Sequence, residues 1–229
     1  MTQEELKKQV GFEAAKYVQS GMNIGLGTGS TTTYMVKELG RRIKEENLKI
    51  TGITTSNITS KQAQKLSIPL KSLNEVDRVD LTIDGADEIS DNFQGIKGGG
   101  GALLLEKIVA RYSKKYFWIV DESKLIKQLG SRPLPVEVVK YGSKQLYHLL
   151  KNKGYNPQFR TINSHKKFMT DNGNYIIDLY LKVIAKPVTL AKELDHLIGV
   201  VEHGLFLNMV DKVIVGTKNG PKTIDLFQN

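Results

Sequence analysis

Residues 22–32 read Met-Asn-Ile-Gly-Leu-Gly-Thr-Gly-Ser-Thr-Thr and give the clearest indication of the fold. The apolar start, residues 22–26, is typical of a short buried strand. Glycines then form a turn, and a helix is predicted for residues 31–46. A strand joined by a glycine-rich turn to a helix is the repeating unit of an open α/β sheet.

Strand and helix patterns alternate on both sides of this unit. Residues 4–18 predict an amphipathic helix whose apolar face is formed by Leu6, Val10, Ala14 and Val18. Further strands are predicted at residues 49–54, 79–84 and 116–120. Ser56 or Asn57 is expected to cap a short helix, and an apolar helix follows the glycines at 98–101. The alternation predicts an α/β fold, with a Rossmann-like parallel sheet and helices on both faces.

The pattern changes at Pro133 and Pro135, which suit a connection between domains. Beyond them we predict a strand, a helix at 143–153, a hairpin turning at 171–174 and a helix at 188–197, which resembles a split β-α-β unit. Residues 212–216 predict a strand that returns to the first sheet. The expected organisation is a Rossmann-like domain of residues 1–130 and 208–229, with a small α+β (ferredoxin-like) domain of residues 131–207 inserted.

Composition excludes several classes of function. The chain has no cysteine, which rules out disulfides, thiolate catalysis and cysteine-ligated metals and fits a reducing cytosol. The N-terminus has no apolar signal core, and no stretch approaches the ~20 apolar residues of a membrane-spanning helix. We therefore expect a cytoplasmic protein with no membrane partner.

The net charge of +9 raises nucleic acid as a partner. Residues 131–175 supply +6 of it, with eight basic and two acidic residues. These basic residues are scattered, and few aromatic side chains suited to base stacking lie among them. We expect a solvated surface that favours anionic substrates and no nucleic-acid partner.

The turn at residues 25–32 is a natural anion site, because backbone N–H groups and a helix N-terminus meet there. A Walker loop needs a lysine that this turn lacks. A dinucleotide-binding fingerprint requires glycine at position 30, where this chain has Ser30, and an acidic residue at the end of the second strand. This strand ends instead in the polar, uncharged residues 54–56. NAD is therefore not expected, and a small phosphate ester fits better. A tight turn without a ligand stays an alternative.

Carboxylates follow the predicted strand at 79–84, in the run Asp84-Gly85-Ala86-Asp87-Glu88. Ligands of open parallel sheets bind at the carboxyl ends of strands. Asp84 and Asp87 can both turn towards one crevice there. A helix cap or a carboxylate metal site is the alternative reading.

Two further motifs add a cation and a base. Lys97 precedes four glycines, whose backbone can approach a ligand closely. Glu106 lies in the apolar helix that follows, where partial desolvation would make it a better base near neutrality. Lys124 follows another strand, in Val120-Asp121-Glu122-Ser123-Lys124. Taken singly, Glu106 and Lys124 also fit ordinary surface residues.

Together these motifs suit proton transfer on a phosphorylated, hydroxyl-rich substrate. The four histidines (His148, His165, His196 and His203) lack metal spacing, so no metal site is predicted.

The chain resembles the type A ribose-5-phosphate isomerase family through the ordered motifs GLGTGST, SNITSKQAQ, DLTIDGADE, KGGGGALLLEK, VDESK, PLPVEV and GVVEHGLF. It departs from the family pattern at His203, where asparagine is usual, and at Gly101, where alanine is frequent. The resemblance implies interconversion of ribose 5-phosphate and ribulose 5-phosphate in the pentose phosphate pathway, with no metal or organic cofactor. It also implies that the inserted domain is a lid and that the chain forms a homodimer or homotetramer.

The resemblance further implies a role for each matching residue. Glu106 would be the catalytic base. For the mechanism we expect Asp84 or Asp87 to assist ring opening and Lys97 to stabilise the developing oxyanion. Substrate would be bound by Thr28, Gly29, Ser30, Thr31, Asp84, Gly85, Ala86, Asp87, Lys97, Gly98, Gly99, Gly100 and Lys124, with Lys7 near the phosphate.

Two other functions stay open at this point. One is a sugar-phosphate deaminase or coenzyme A transferase on a similar sheet, which would release ammonia or exchange acyl groups. The other is a non-catalytic sugar-phosphate sensor. A sensor normally carries a DNA-binding module, and no helix-turn-helix segment is evident in the sequence.

Overall fold

The computed structural model describes residues 2–163 and 166–226. Within these residues it has six α-helices: α1 (Gln3–Ala15), α2 (Ser30–Glu46), α3 (Asn57–Lys65), α4 (Leu103–Arg111), α5 (Ser143–Asn152) and α6 (Pro187–Asp195). Two short 3₁₀ helices span Leu73–Glu75 and Glu122–Lys124. None of the helices in the described part of the chain is both long and apolar enough to cross a membrane.

The same residues form sixteen strands, several of them only two residues long. They are β1 (Asn23–Leu26), β2 (Thr51–Thr54), β3 (Leu81–Asp84), β4 (Glu88–Ser90), β5 (Gly95–Ile96), β6 (Tyr116–Asp121), β7 (Leu125–Ile126), β8 (Leu134–Val138), β9 (Pro157–Phe159), β10 (Thr161–Asn163), β11 (Lys166–Lys167), β12 (Tyr175–Leu179), β13 (Val200–His203), β14 (Leu205–Phe206), β15 (Lys212–Thr217) and β16 (Gly220–Asp225).

The chain divides into two compact units. The first comprises Met1–Ala86, Leu105–Lys124 and Met209–Asn229, and the second comprises Asp87–Leu104 and Leu125–Asn208. The second unit thus includes residues 87–104, 125–130 and 208, which the sequence pattern predicts in the first domain. The reason is that β14, β5, β4 and β7 form a small sheet in that order, and all four strands belong to the second unit. The domain limits at residues 130 and 208 stay a prediction.

The first unit is built on a six-stranded sheet of order β16-β15-β6-β3-β1-β2. All neighbouring strands in it are parallel except the β15–β16 pair at one edge. β15 pairs with β6, which confirms that residues 212–216 return to the first sheet. The antiparallel edge strand β16 was not predicted.

Helices cover both faces of this sheet. On one face Ile24 and Leu26 of β1 belong to a core cluster with side chains of α1, α2 and α3. Gly25 points to the other face, where an added Cβ would lie 2.9 Å from Val109 of α4. Val109 packs there with Ile53 and Val79 in a separate cluster. The predicted α/β architecture of this unit is therefore confirmed.

The predicted apolar face of helix α1 is buried throughout, from Leu6 to Val18. The helix ends at Ala15 rather than at residue 18, because the next three N–H groups bond to carbonyls three residues earlier instead of four. Val18 is thus buried by a tightened final turn.

The second unit contains an antiparallel sheet of order β13-β8-β12-β9. Its core includes side chains of α5 and α6, among them Leu146, Leu150 and Leu194. The predicted hairpin turn is present: Thr170 donates its N–H to the carbonyl of Asn174, and Met169 bridges to Tyr175. This order of strands and helices matches the predicted split β-α-β unit.

Candidate active site

The glycine-rich turn after β1 packs directly on the carboxylate that ends β3. Thr28 N–H donates to Asp84 Oδ1 at 3.1 Å, and Gly85 N–H donates to the same oxygen at 2.7 Å. A Cβ at residue 27 would lie 2.2 Å from that oxygen, so only glycine fits there. The first unit therefore brings together the Thr28 loop and Asp84, as the sequence predicted.

Thr28 also lies in a cluster of hydroxyl groups that sequence reasoning missed. Its Oγ1 is 2.8 Å from the Oγ1 of Thr55, 2.7 Å from the Oγ of Ser56 and 3.2 Å from the Oγ1 of Thr59. Ser56 in turn caps α3 by accepting the Thr59 N–H, which confirms one of the two predicted caps. The sequence feature that could have indicated this cluster is the run of hydroxyl residues 54–56 at the end of the second strand.

The N-terminus of α2 presents two hydroxyls that the fold does not use. Gly29 is the N-cap, and Thr32 and Thr33 both donate to its carbonyl oxygen, at 2.8 and 3.0 Å. Within the described residues, the hydroxyls of Ser30 and Thr31 make no hydrogen bond to the protein. Because helix N-termini attract anions, this first turn suits a phosphate or a sugar hydroxyl.

Asp84 is fully buried at the carboxyl end of β3. In addition to the two backbone donors, Tyr116 places its hydroxyl 3.4 Å from Oδ2. These contacts fix the orientation of the carboxylate. A buried, oriented carboxylate at a strand end can exchange a proton with a bound hydroxyl group.

Asp87 lies in the second unit, because the chain passes between the units after Ala86. Its backbone N–H donates to the carbonyl of Ile96 at 2.8 Å, and its Oδ2 accepts the N–H of Gly99 at 2.8 Å. The second unit therefore brings together Asp87 and the glycine run that the sequence singled out.

Lys97 begins that glycine run and is only 2% exposed. Its backbone N–H donates to the carbonyl of Gly204 at 2.9 Å, and its ammonium stands 5.4 Å from the ring centroid of Phe206. A buried ammonium requires compensating negative charge or electron-rich groups. Lys97 is therefore a buried lysine and not one of the many surface lysines.

Glu106 lies in the first turn of α4 and is 4% exposed. Leu103, Val109 and Ala110, at three and four positions along the same helix, are buried too. Such spacing places all four on one helix face. The surface alternative for Glu106 is therefore wrong, and the predicted buried carboxylate lies on the buried face of α4.

Lys124 ends the 3₁₀ turn that follows β6, and Asp121 organises this turn. Asp121 accepts the backbone N–H of Ser123 at 3.1 Å and also its hydroxyl. Burial opposes ionisation of Asp121, but the bonds from Ser123 and Gln3 and the charge of Lys124 outweigh it and lower its pKa. Asp121 was not predicted as a functional residue.

Lys7 lies on α1, with its ammonium 3.7 Å from Glu4 Oε2. The described contacts of Lys7 do not join it to the Thr28 loop or to Asp84. Its predicted place near the phosphate stays a prediction.

A group of side chains that can ligate metals occurs in the second unit. The ligand atoms of Asp195, Glu202 and His203 lie within 4.8 Å of one another, a grouping the sequence did not predict. His203 Nδ1 accepts the Leu205 N–H at 3.2 Å, which leaves the ring proton on Nε2, 3.2 Å from Asp195 Oδ1. Hydrogen bonding thus accounts for the orientation of the His203 ring.

Of the four histidines named in the sequence analysis, His165 lies outside the described residues.

Comparison with known proteins identifies the family. The family model described as Ribose 5-phosphate isomerase A (phosphoriboisomerase A) matches residues 51–220. A protein of Enterococcus faecalis named Ribose-5-phosphate isomerase A is 64% identical over 219 residues, covering 96% of this chain and 97% of the relative. A Streptococcus agalactiae protein of the same name is 60% identical over 217 residues, covering 95% and 97%.

Solved structures agree with the sequence matches. Ribose 5-phosphate isomerase A from Methanocaldococcus jannaschii matches with a TM-score of 0.93 at 44% identity, covering 98% of this chain and 100% of that one. A D-ribose-5-phosphate isomerase in complex with phospho-erythronic acid matches with a TM-score of 0.95 at 38% identity and the same coverage. Neither set of matches favours the deaminase, transferase or sensor that the sequence left open. This chain belongs to the ribose 5-phosphate isomerase A family.

Proposed function

We propose that this protein interconverts D-ribose 5-phosphate and D-ribulose 5-phosphate. Its family membership supports this reaction, and the observation that carries the chemistry is the buried Glu106 in the first turn of α4, directly after the glycine run. The purified chain should convert ribose 5-phosphate into a ketose, measured by the ketose absorbance. Absence of any ketose at high protein concentration would refute the proposal.

In the first step Asp84 or Asp87 assists opening of the furanose ring. Opening requires a proton to reach the ring oxygen and a proton to leave the C1 hydroxyl. The described contacts orient both carboxylates through backbone N–H groups, which supports this role.

In the second step Glu106 removes the proton from C2 of the open-chain aldehyde. The electron pair of the broken C–H bond forms the C1–C2 double bond of an enediolate, and negative charge develops on O1. Glu106 then delivers its proton to C1, while the proton of the C2 hydroxyl is lost and O1 gains one. The result is the ketose, with no net uptake of protons.

Charge on the enediolate is stabilised by Lys97 and by backbone N–H groups of the Gly98–Gly100 run. Oriented donors and a buried cation act most strongly where water is excluded. A structural relative was solved in complex with phospho-erythronic acid, which supports a sugar phosphate as the ligand. That ligand combines a phosphate with a carboxylate, whose planar, charged geometry resembles an enediolate.

The phosphate or nearby hydroxyls bind at the first turn of α2, and Lys124 and Lys7 are proposed as further ligand cations. Replacing Ser30 and Thr31 together by alanine should raise KM more than it lowers kcat, because the lost donors act on ground state and transition state alike. Steady-state kinetics measure this split. Thr33→Ala is the matched control, since its hydroxyl already bonds to Gly29. An unchanged KM in the double variant would show that the phosphate binds elsewhere.

The reaction is proposed to need no metal or organic cofactor, because each step uses groups of the chain itself. Activity should therefore persist after prolonged treatment with excess EDTA, measured as the initial rate against an untreated sample. Loss of activity that a divalent cation restores would contradict the metal-free mechanism and direct attention to Asp195, Glu202 and His203.

The homodimer or homotetramer implied by the resemblance and the cytoplasmic location expected from the composition belong to the same proposal. A chain without cysteine needs no oxidising compartment, which supports the location.

A further inference from the structure

Arg160 makes an unusual set of contacts in the second unit, between β9 and β10. Its Nε and Nη2 bind both oxygens of Asp178, at 2.9 and 2.5 Å. Its Nη1 donates to the carbonyls of Gly98 and Gly99, at 2.8 and 2.9 Å. One guanidinium thus joins a carboxylate of the β12 strand to the glycine run.

The ion pair is held in place from several sides. The side chains of Arg160 and Asp178 are 15% and 10% exposed, so water screens the pair weakly. The backbone of Arg160 is fixed as well: its N–H donates to Ile176 and its carbonyl accepts the N–H of Phe168. The guanidinium is therefore preorganised for the two carbonyls.

The segment that Arg160 contacts is the glycine run 98–101, whose backbone would be flexible without such contacts. Gly98 and Gly101 have φ values of +100° and +80°, and the Gly101 N–H closes a turn on the Gly98 carbonyl at 2.9 Å. At Gly101 a Cβ would lie 2.5 Å from the Phe168 ring, and the Arg160 guanidinium stands 5.8 Å from the same ring. Arg160 and Phe168 together define the shape of this turn.

We propose that Arg160, oriented by Asp178, is a positioning residue that holds the Gly98–Gly99 peptides so that the Gly99 N–H meets Asp87 and Lys97 keeps its place. As a role in catalysis this rests on the proposed isomerase function. Lysine cannot replace arginine here, because a single ammonium cannot serve a bidentate carboxylate and two carbonyls at once. Without these hydrogen bonds, Asp87 and Lys97 would be misplaced, and an error of about 1 Å in the position of such groups can lower the rate strongly.

The test compares Arg160→Lys with the wild-type protein in kcat, KM, melting temperature and amide hydrogen exchange of residues 97–104. We expect kcat/KM for ribose 5-phosphate to fall roughly 10–100-fold, mainly through kcat. Exchange in this segment should become faster, because the Gly99 N–H loses its fixed acceptor geometry. The melting temperature should stay within a few degrees of wild type. Lys153→Ala is the control: it breaks the 2.6 Å pair with Glu193 in the same unit and should leave all four quantities unchanged.

A folded Arg160→Lys variant with wild-type kinetics and wild-type exchange would overturn the proposal. A variant with a lower melting temperature but unchanged kcat and KM would do the same, since it would show a role in stability alone. If Arg160→Lys does not fold, Asp178→Asn decides instead: it keeps the cation and should give an intermediate loss of kcat/KM, and wild-type values would refute the proposal. Wild-type protein without isomerase activity would refute the proposed function, while the exchange comparison would still decide whether Arg160 holds the turn.

Discussion

Glu106→Gln should lower kcat for ribose 5-phosphate by about 10²–10⁴-fold or more, the range that general-base assistance supplies. Glutamine matches glutamate in size and reach but cannot accept the C2 proton at neutral pH. KM should change by less than roughly tenfold, because binding uses other groups. The fold should persist, since the residue keeps its place on the buried face of α4. Steady-state kinetics and circular dichroism measure these outcomes.

Glu13→Gln is a suitable control for this experiment. Glu13 lies on α1 and pairs with Lys16 at the surface, so its replacement should leave kcat unchanged. If Glu106→Gln keeps most of its kcat, Glu106 is not the base. Asp84 or Asp87 would then have to take that role.

Asp84→Asn should reduce turnover of ribose 5-phosphate by about 10²-fold, the lower end of the range for acid–base assistance. The asparagine oxygen can still accept the N–H groups of Thr28 and Gly85, so the Thr28 loop should keep its place. What is lost is a group that can exchange a proton during ring opening. The defect should therefore be smaller for an aldose 5-phosphate without a 4-hydroxyl, which cannot close a furanose ring.

Parallel kinetics with the cyclic and the open-chain substrate separate these roles. Asp80→Asn is the control, because Asp80 lies just before β3 and bonds to Asn23 and Arg78 instead of to the Thr28 loop. An equal defect on both substrates would show that Asp84 acts in the enediolate step and not in ring opening.

The main sheet was predictable because its strands carry local signals. β1 and β6 are largely apolar, β3 alternates apolar and polar residues, and the helices around them have their own periodicity. β4, β5, β7 and β14 were not predicted, since strands of two or three residues carry no period. Apart from the β4–β5 pair, their partners are also distant in sequence. Their pairing transfers residues 87–104 to the second unit, a division that no local pattern indicates.

The candidate site also has residues that the sequence indicated and residues that it did not. Asp84, Lys97 and Glu106 could be named from the sequence, because Asp84 ends a predicted strand, Lys97 precedes the glycine run and Glu106 lies in the apolar helix after it. The residues that hold the neighbouring loops lie elsewhere in the chain: Thr59 contacts Thr28, 31 positions away, and Arg160 contacts Gly98, 62 positions away. Glu88 shows the limit of motif reading, because it lies beside Asp87 yet binds the turn at residues 130–132. Burial and hydrogen bonding, which distinguish such roles, become visible only in three dimensions.

We expect this chain to isomerise ribose 5-phosphate by moving a proton between C2 and C1. Incubation of the wild-type protein with ribose 5-phosphate in D₂O, followed by NMR to equilibrium, tests this proton transfer. We predict that ribulose 5-phosphate forms and that deuterium accumulates at C1 of the ketose and C2 of the aldose over repeated turnovers, because the base exchanges its proton with solvent. Ketose formed without any carbon-bound deuterium after many turnovers would contradict transfer through a base that exchanges with solvent, and no ketose at all would refute the activity itself.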